Sequence, residues 1–342
     1  MESPTDAPCH PASDMNFTRT RLSLSIAAAT TAVVAAASAN AQFPGIRSLE
    51  EFARDAEAHR RNVPRDSPFV GPDGSIILGA RCATHDLTLA EHNAANARVS
   101  HFEDADPEAA RALSASTASG RSAKKNRVKV YFHVIHDGVN GNLSQADIDE
   151  QMKVLNRAFR RHGFSFKLKK VTRTEKPSWF NKCAAGATAK KFTKKLAVDP
   201  LSSLNIYSCN PSGGLLGWAT LPGSPIAQTN RDGVYLLYST LPGGTAVPYH
   251  LGDTATHEVG HYLGLLHTFQ GGCGTNGDFV DDTPPQASPS SGCPTGRDSC
   301  ASDGLDPIDN FMDYSDDACM TKFTKGQRLR MKSQVAANRA EI

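Results

Sequence analysis

Several features are missing from this 342-residue sequence, and each absence excludes a class of protein. No apolar run reaches the roughly 18 residues, free of polar side chains, that a membrane-spanning helix needs. The formal net charge is only +2, which favours neither a nucleic-acid-binding protein nor an acidic disordered chain. Eight cysteines are too few for a scaffold held by disulfides alone. With 39% hydrophobic residues, 27 glycines and 20 prolines, the composition predicts a loop-rich globular protein.

Residues 15–41 have the three parts of a secretory signal peptide in order. Two arginines form its basic start, a small-residue apolar stretch follows, and Ala39-Asn40-Ala41 matches a cleavage site before Gln42. A buried alanine-rich helix is the alternative. Residues 1–14 are polar and acidic, so we interpret them as a non-native N-terminal extension, with translation starting at Met15. The sequence therefore predicts a secreted, extracellular protein whose cysteines can form disulfides.

The rest of the chain divides into two parts of different composition. Residues 42–123 are poor in large apolar residues and end in a low-complexity linker, Leu113–Ala123, so we interpret them as a propeptide and linker. Residues 127–342 alternate strand and helix patterns with glycine- and proline-rich loops, which predicts an α+β domain. The expected elements are strands at Val128–Ile135, Phe164–Val171, Leu204–Ser208 and Gly233–Ser239, a helix after a capping-box-like start at Ser144, a helix carrying His257, and a last helix near Thr324.

The segment HEVGHYLGLLH, which begins at His257, carries the strongest chemical signal. On a helix, His257 and His261 lie on one face about one turn apart, so both imidazoles can bind one zinc ion. Glu258 stands beside them as a candidate general base, and Gly264 can turn the chain so that His267 becomes a third ligand. Three protein ligands leave a coordination position open, which is typical of catalytic zinc sites. Histidines on an ordinary amphipathic helix are the alternative, which the five matching positions argue against.

A second motif, Asn310-Phe311-Met312-Asp313-Tyr314, follows the histidines, and together they resemble the metzincin pattern of a zinc motif and a Met-turn. The segments GDFVDDTP, GCPTGRDSC and DPIDNFMDYSDDACMTKF resemble the pappalysin family. The resemblance spans residues 127–342 and implies a zinc endopeptidase with a mixed twisted sheet, an active-site helix and a C-terminal helix. It also implies that Met312 lies beneath the zinc site, rather than being an ordinary core methionine, and that Tyr314 reaches the metal.

Six cysteines fall in the expected catalytic domain, which allows 15 pairings. No C-x-x-C pair is present, so a structural zinc cluster is not expected. The resemblance to the pappalysins implies the disulfides Cys273–Cys300 and Cys293–Cys319, which leaves Cys183–Cys209 as the third pair.

Cys82 stands apart, in the propeptide segment Gly79-Ala80-Arg81-Cys82-Ala83-Thr84. A thiolate is a good fourth zinc ligand, and in several metzincins an Arg-Cys-Gly propeptide segment blocks the zinc in this way. Here Ala83 replaces the glycine. A blocking switch and an idle or dimer-forming cysteine both remain open from the sequence.

Charge is distributed unevenly along the chain. Residues 273–319 contain ten aspartates and one arginine, and carboxylates grouped in loops suit Ca²⁺. The candidate calcium ligands are Asp278, Asp281, Asp282 and Thr283. A solvated acidic loop is the alternative. Residues 124–195 are rich in lysine, and without a recognition module a solvated face explains them better than nucleic-acid binding.

The acidic residues near the Met-turn bear on specificity. Asp313, Asp316 and Asp317 flank the turn that, in metzincins, helps wall the pocket for the residue after the scissile bond. A carboxylate in that pocket favours arginine or lysine. An apolar pocket, with these aspartates facing water or calcium, is the alternative.

These observations predict a secreted zinc-dependent endopeptidase that acts on proteins or peptides and is made as a zymogen. Glu258 is expected to be the general base, and activation is expected after a cut near Gly120-Arg121 or Lys124-Lys125. We expect Gly233–Ser239 to be the edge strand that pairs with substrate. A zinc-containing extracellular binding protein without proteolytic activity and a zinc hydrolase of small molecules are the alternatives. The sequence predicts no oligomeric state.

Overall fold

A computed structural model describes most of the chain beyond residue 64. It covers residues 65–111 except 86, 106 and 109, residues 126–342 except 184, 185, 275, 276, 302 and 303, and a few positions between 50 and 58. The predicted N-terminal extension, signal peptide and activation sites lie outside the described residues. No helix in the part that the structure describes is long and apolar enough to cross a membrane.

Residues 65–111, which we call the N-terminal segment, form a hairpin followed by a helix. Strands β1 (Ser67–Val70) and β2 (Ile76–Gly79) pair antiparallel. Helix α1 (Leu89–Ala105) follows, and its Asn96 accepts a hydrogen bond from Gln334 near the end of the chain at 2.9 Å. The segment therefore packs on the domain that follows it.

The main domain is built on a five-stranded mixed sheet. Its strands are β3 (Asn126–His136), β4 (Phe164–Glu175), β5 (Ser203–Cys209), β6 (Gly217–Ala219) and β7 (Val234–Leu237). They lie in the order β4-β3-β5-β7-β6, and all neighbours are parallel except β6 and β7. The prediction of an α+β fold with a mixed sheet is confirmed.

One edge of the sheet is formed by a different strand from the one that the sequence indicated. Gly233–Ser239 contains β7, which pairs with β5 on one side and β6 on the other, so its predicted edge position is wrong. The edge strand is β6, which has three residues in a glycine-rich stretch. A strand of this length shows no recognisable alternation of apolar and polar residues, which is why the sequence did not reveal it.

Helices cover both faces of the sheet. In the described part of the domain they are α2 (Gln145–Phe159), α3 (Pro177–Phe180), α4 (Gly186–Leu196), α5 (Asp253–Tyr262) and α6 (Lys325–Asn338). Both α2 and α6 begin with a capping box, at Ser144 and Thr324, so their unpaired N–H groups are satisfied. Helices α2, α5 and α6 share one apolar core with the sheet, where each fully buried large side chain stabilises the fold by about 1.5–3 kcal/mol.

A column of stacked rings holds the short strand β6 in place. Trp218 stacks on Tyr235 with ring centroids 3.8 Å apart, and Tyr235 stacks on Tyr207 at 4.8 Å. Tyr207 in turn stacks on His133 at 4.8 Å. The four rings come from β6, β7, β5 and β3, so the column crosses the sheet. Each aromatic contact of this kind adds about 0.5–1.5 kcal/mol beyond burial, which stabilises the edge beside the site.

Three disulfides form in the domain, Cys183–Cys209, Cys273–Cys300 and Cys293–Cys319, and these are the pairs expected from the sequence. Between α5 and α6 the described residues contain no helix or strand. Two of the disulfides lie in this stretch. Cys273–Cys300 joins cysteines 27 positions apart, and Cys293–Cys319 joins cysteines 26 positions apart. Links of this size stabilise the fold by about 3–4 kcal/mol each by restricting the unfolded chain.

Candidate metal centre

Helix α5 and the turn after it bring the three motif histidines together. His257 and His261 lie one turn apart, and their Nε2 atoms are 3.1 Å from each other. Gly264 then turns the chain with a φ of +104°, a left-handed conformation that favours glycine. A Cβ at this position would also lie 2.6 Å from the side chain of Gln334. After the turn, His267 returns with its Nε2 atom 3.0 Å from that of His261.

Hydrogen bonds fix which ring nitrogen faces the site. Nδ1 of His257 lies 2.7 Å from the carbonyl oxygen of Phe311, and Nδ1 of His261 lies 2.9 Å from that of Leu265. A carbonyl oxygen only accepts, so Nδ1 carries the proton and Nε2 presents a lone pair. Burial lowers the pKa of His261 to about 4 and that of His257 well below its ordinary value, so both rings stay neutral. Two bare nitrogens at 3.1 Å cannot bond to each other, and a shared divalent cation fits this donor set.

The thiol of Cys82 completes a group of four donors. Its sulfur and the histidine nitrogens all lie within 4.8 Å of one another, and all four side chains are buried. Within the described ranges, this is the one group of His, Cys, Asp or Glu side chains that could hold a metal ion. Three nitrogens and a sulfur are a donor set typical of tetrahedral zinc. Because Cys82 is 2% exposed, a second chain cannot reach it, which argues against the dimer-forming alternative.

The Glu258 carboxylate lies beside these donors and is completely buried. Burial raises the pKa of Glu258 to about 8, although hydrogen bonds from Cys82 and Thr84 oppose the shift. The Thr84 hydroxyl donates to Oε2 of Glu258 at 3.0 Å and accepts the N–H of Ala219 at 2.9 Å. Thr84 therefore connects the carboxylate to strand β6, a contact that the sequence did not reveal.

The Met-turn lies directly under the histidines. Met312 is completely buried, and its sulfur would lie 2.5 Å from a Cβ added to Gly260, between the two helical histidines. Asn310 accepts the N–H of Met312 at 2.9 Å and so holds the turn. The ring of Tyr314 lies 5.0 Å from that of His267, and its hydroxyl donates to the carbonyl oxygen of Cys82 at 3.4 Å. The structure thus brings Tyr314 to the same site as the histidines.

Arg81 of the N-terminal segment fills a pocket beside the metal donors. Its guanidinium group donates to Thr254 at 2.9 Å, pairs with Asp317 at 3.0 Å and lies 4.5 Å above the ring centre of Tyr249. The side chains of Arg81 and Asp317 are completely buried. Arg81 is not among the site residues predicted from the sequence, although its place directly before Cys82 is a usable signal.

The backbone of residues 80–83 lies along the edge of the sheet. Three hydrogen bonds of 3.0–3.1 Å join it to residues 214–217. The bridge between Ala80 and Leu215 is parallel. The N-terminal segment therefore occupies the free edge at β6 as an added strand.

The candidate calcium ligands are not gathered around one point. Asp278 is buried and accepts hydrogen bonds from Thr283 and from the N–H of Val280, and burial raises its pKa to about 7. Asp281 and Asp282 are exposed. Calcium binding here remains a prediction from composition.

Comparison with known proteins decides the family. The family model Peptidase_M43, described as pregnancy-associated plasma protein-A, matches residues 188–336. Extracellular metalloprotease 1 of Coccidioides posadasii is 47% identical over 212 residues, which cover 60% of this chain and 75% of the relative. The chain belongs to the pappalysin family of metalloproteases. An extracellular metalloprotease of Colletotrichum graminicola is 42% identical over 276 residues, covering 78% of this pappalysin and 94% of the relative.

Two solved structures of mirolysin from Tannerella forsythia share the fold. Mature mirolysin in complex with a cleaved peptide is 32% identical with a TM-score of 0.56, and the match covers 64% of this chain and 96% of that chain. A promirolysin mutant is 29% identical with a TM-score of 0.57, covering 71% of this chain and 94% of that chain. The present protein is thus a metalloendopeptidase, and its extracellular relatives and disulfides show that it is secreted.

Proposed function

We propose that this pappalysin is a zinc-dependent endopeptidase that is made as a zymogen and hydrolyses protein or peptide substrates. The observation that carries the proposal is the convergence of three buried histidines, His257, His261 and His267, beside the buried carboxylate of Glu258. Nitrogen and sulfur donors favour zinc over calcium or magnesium, which prefer oxygen. Membership of a metalloprotease family supports the reaction class.

The chain's own residues supply the remaining parts of the reaction. His257, His261 and His267 would hold the zinc ion, which when bound would supply Lewis-acid chemistry for the scissile carbonyl and for a water molecule. Glu258 takes the proton of the attacking water and passes it to the leaving amine. Tyr314, whose hydroxyl already reaches a peptide carbonyl oxygen at 3.4 Å, donates to the developing oxyanion. Strand β6 binds the extended substrate at the edge that residues 80–83 now cover.

The N-terminal segment acts as the inhibitory propeptide in this proposal. Cys82 takes the open ligand position, Thr84 engages Glu258 and Arg81 fills the neighbouring pocket. These three residues occupy the positions that a substrate would need, and they lie within one short stretch of chain. A substrate therefore cannot bind until this stretch leaves the site. Removal of the segment after a cut in the linker would therefore start activity.

Digestion of casein with and without metal tests the proposed reaction. We expect the secreted enzyme to digest casein, to lose all activity when a zinc-selective chelator removes the metal, and to recover with Zn²⁺. A calcium-selective chelator is the control and should leave most of the initial rate intact. Digestion by metal-free protein would contradict the proposal. A zinc-loaded enzyme that cuts small amides but no protein would favour the small-molecule hydrolase.

We expect Asp317 to select a basic residue after the scissile bond. In the active enzyme the pocket that Arg81 fills becomes free, and Asp317, Thr254 and Tyr249 can receive a substrate guanidinium. Asp317→Asn should lower kcat/KM for peptides with arginine at that position by about 100-fold or more, because a buried ion pair loses one partner.

The corresponding peptide with leucine should be affected much less. Asp316→Asn is the control at the neighbouring residue, and it should have a smaller effect, because the ion pair with Arg81 is made by Asp317 and Asp316 is only partly buried. If Asp317→Asn lowers kcat/KM equally for the arginine and leucine peptides, the pocket does not select its substrate by charge.

A further inference from the structure

A buried network of polar side chains lies beside the metal centre, and no step of the proposed reaction uses it. Its members are Thr268, Gln286, Ser290 and Asp313. All four are buried, Gln286 and Asp313 completely. Thr268 follows the third histidine, and Asp313 follows Met312, so the network joins two turns that carry residues of the site.

Gln286 is the centre of the network, and its amide can take only one orientation. Its Oε1 accepts from the Thr268 hydroxyl at 2.8 Å, while its Nε2 donates to Oδ1 of Asp313 at 3.0 Å and to Oγ of Ser290 at 3.0 Å. Turning the amide round would place its oxygen against the Asp313 carboxylate, where neither partner has a proton to donate. The side chain at position 286 must therefore carry an acceptor that faces Thr268 and a donor that faces Asp313.

Besides this network, the two turns meet through ring contacts of Tyr314 with His267 and Phe269 and through one backbone hydrogen bond. The N–H of Thr268 donates to the carbonyl oxygen of Met312, but at 3.3 Å this hydrogen bond is long. The described part of the segment between α5 and the Met-turn contains no helix or strand that could fix its path. The hydrogen bonds of Gln286 are shorter and completely buried, so they hold the two turns together more firmly than this backbone contact does.

We propose that Gln286 is a positioning residue for the metal centre. It holds the turn that carries His267 against the turn that carries Met312 and Tyr314. The imidazole of His267 and the hydroxyl of Tyr314 then face the same metal ion. This inference rests on the proposed function, in which His257, His261 and His267 hold zinc. It assigns a role to a residue that belongs to neither the histidine motif nor the Met-turn.

The rate of zinc release tests this role. Full chains are expressed, and the secreted, processed enzymes are mixed with an excess of a chromogenic zinc chelator at a temperature far below unfolding. Thr268→Val keeps the side-chain shape and cuts only the bond to Gln286, whereas Gln286→Glu places two carboxylates against each other. We expect both variants to release zinc about 10–100-fold faster than the wild type, with kcat lowered and KM nearly unchanged.

Rescue by a second change distinguishes positioning from general damage. In Gln286→Glu combined with Asp313→Asn, the new amide can donate to the new carboxylate but gives up the bond from the Ser290 N–H, so zinc release should slow to a rate between those of Gln286→Glu and the wild type. Asn156→Asp is the matched control: it makes the same amide-to-acid change and places a carboxylate against the carbonyl oxygens of Met152 and Phe166, where α2 meets β4. Its melting temperature should fall while its zinc release stays at the wild-type rate.

Each remaining outcome has one meaning. Wild-type zinc release from Thr268→Val and Gln286→Glu, with melting temperatures lowered as in Asn156→Asp, would overturn the proposal, because the network would then be only structural. If Gln286→Glu is not secreted in folded form, Thr268→Val alone decides. Failure of the wild-type enzyme to bind zinc, or unchanged zinc retention in His267→Ala, would instead contradict the proposed function.

Discussion

Glu258→Gln should digest casein about 10²–10⁴-fold more slowly than the wild type while holding the same amount of zinc. Glutamine has nearly the same shape as glutamate, and the three histidines are unchanged, so the metal site stays intact. The amide cannot take up the proton of the attacking water. Initial rates and zinc per chain, measured on one preparation, check this expectation.

The zinc measurement is the control for this experiment. A variant that has lost zinc reports on metal binding, and its rate says nothing about the base. A variant that holds one zinc per chain and digests casein at nearly the wild-type rate would show that another group takes the proton. The same variant should also leave its own precursor uncut, if maturation depends on this enzyme's activity.

Loss of the Cys82 thiol should make the uncut chain active. In a precursor whose linker residues Arg121, Lys124 and Lys125 are replaced by alanine, Cys82→Ser should raise hydrolysis of a short peptide by roughly two orders of magnitude, since serine is a far weaker zinc ligand. Thr84→Val should raise it by roughly tenfold, because a hydrogen bond to a carboxylate contributes about 1.5 kcal/mol.

A second threonine of the N-terminal segment provides the control for Thr84→Val. Thr88 accepts the N–H of Glu91 at the start of α1, so Thr88→Val makes the same chemical change without touching Glu258. It should leave the uncut precursor inactive. Equal activation by both valine variants would mean that the segment is merely loosened. An inactive Cys82→Ser precursor would show that the thiol is not what blocks the site.

The convergence of the three histidines could be predicted because its geometry is local. Two histidines four positions apart, a glycine three positions later and a histidine three positions beyond it specify a helix, a turn and a returning ligand. The capping boxes at Ser144 and Thr324 are local in the same sense, and both helices begin there. In each case the physical requirement lies within a few consecutive residues.

Contacts between distant parts of the chain left no such pattern. Thr84 meets Glu258 across 174 positions, and Arg81 meets Asp317 across 236. Nothing periodic links these residues, so only the folded chain shows that they touch. The calcium prediction rested on composition, which gives the number of carboxylates in a segment but not the direction in which each side chain points. Asp278, for example, turns inward to Thr283.

If the chain is a zymogen as proposed, residues 80–83 at the sheet edge also determine how many molecules a maturation event requires. While residues 80–83 lie along residues 214–217 and Thr84 engages Glu258, the cleft of that chain cannot receive its own linker. If the family's own activity makes the cut, one chain must therefore be opened by another. Conversion then depends on encounters between an active and a latent molecule, so it is self-accelerating: dilute precursor persists, whereas a concentrated pool, once a few chains have opened, converts almost together.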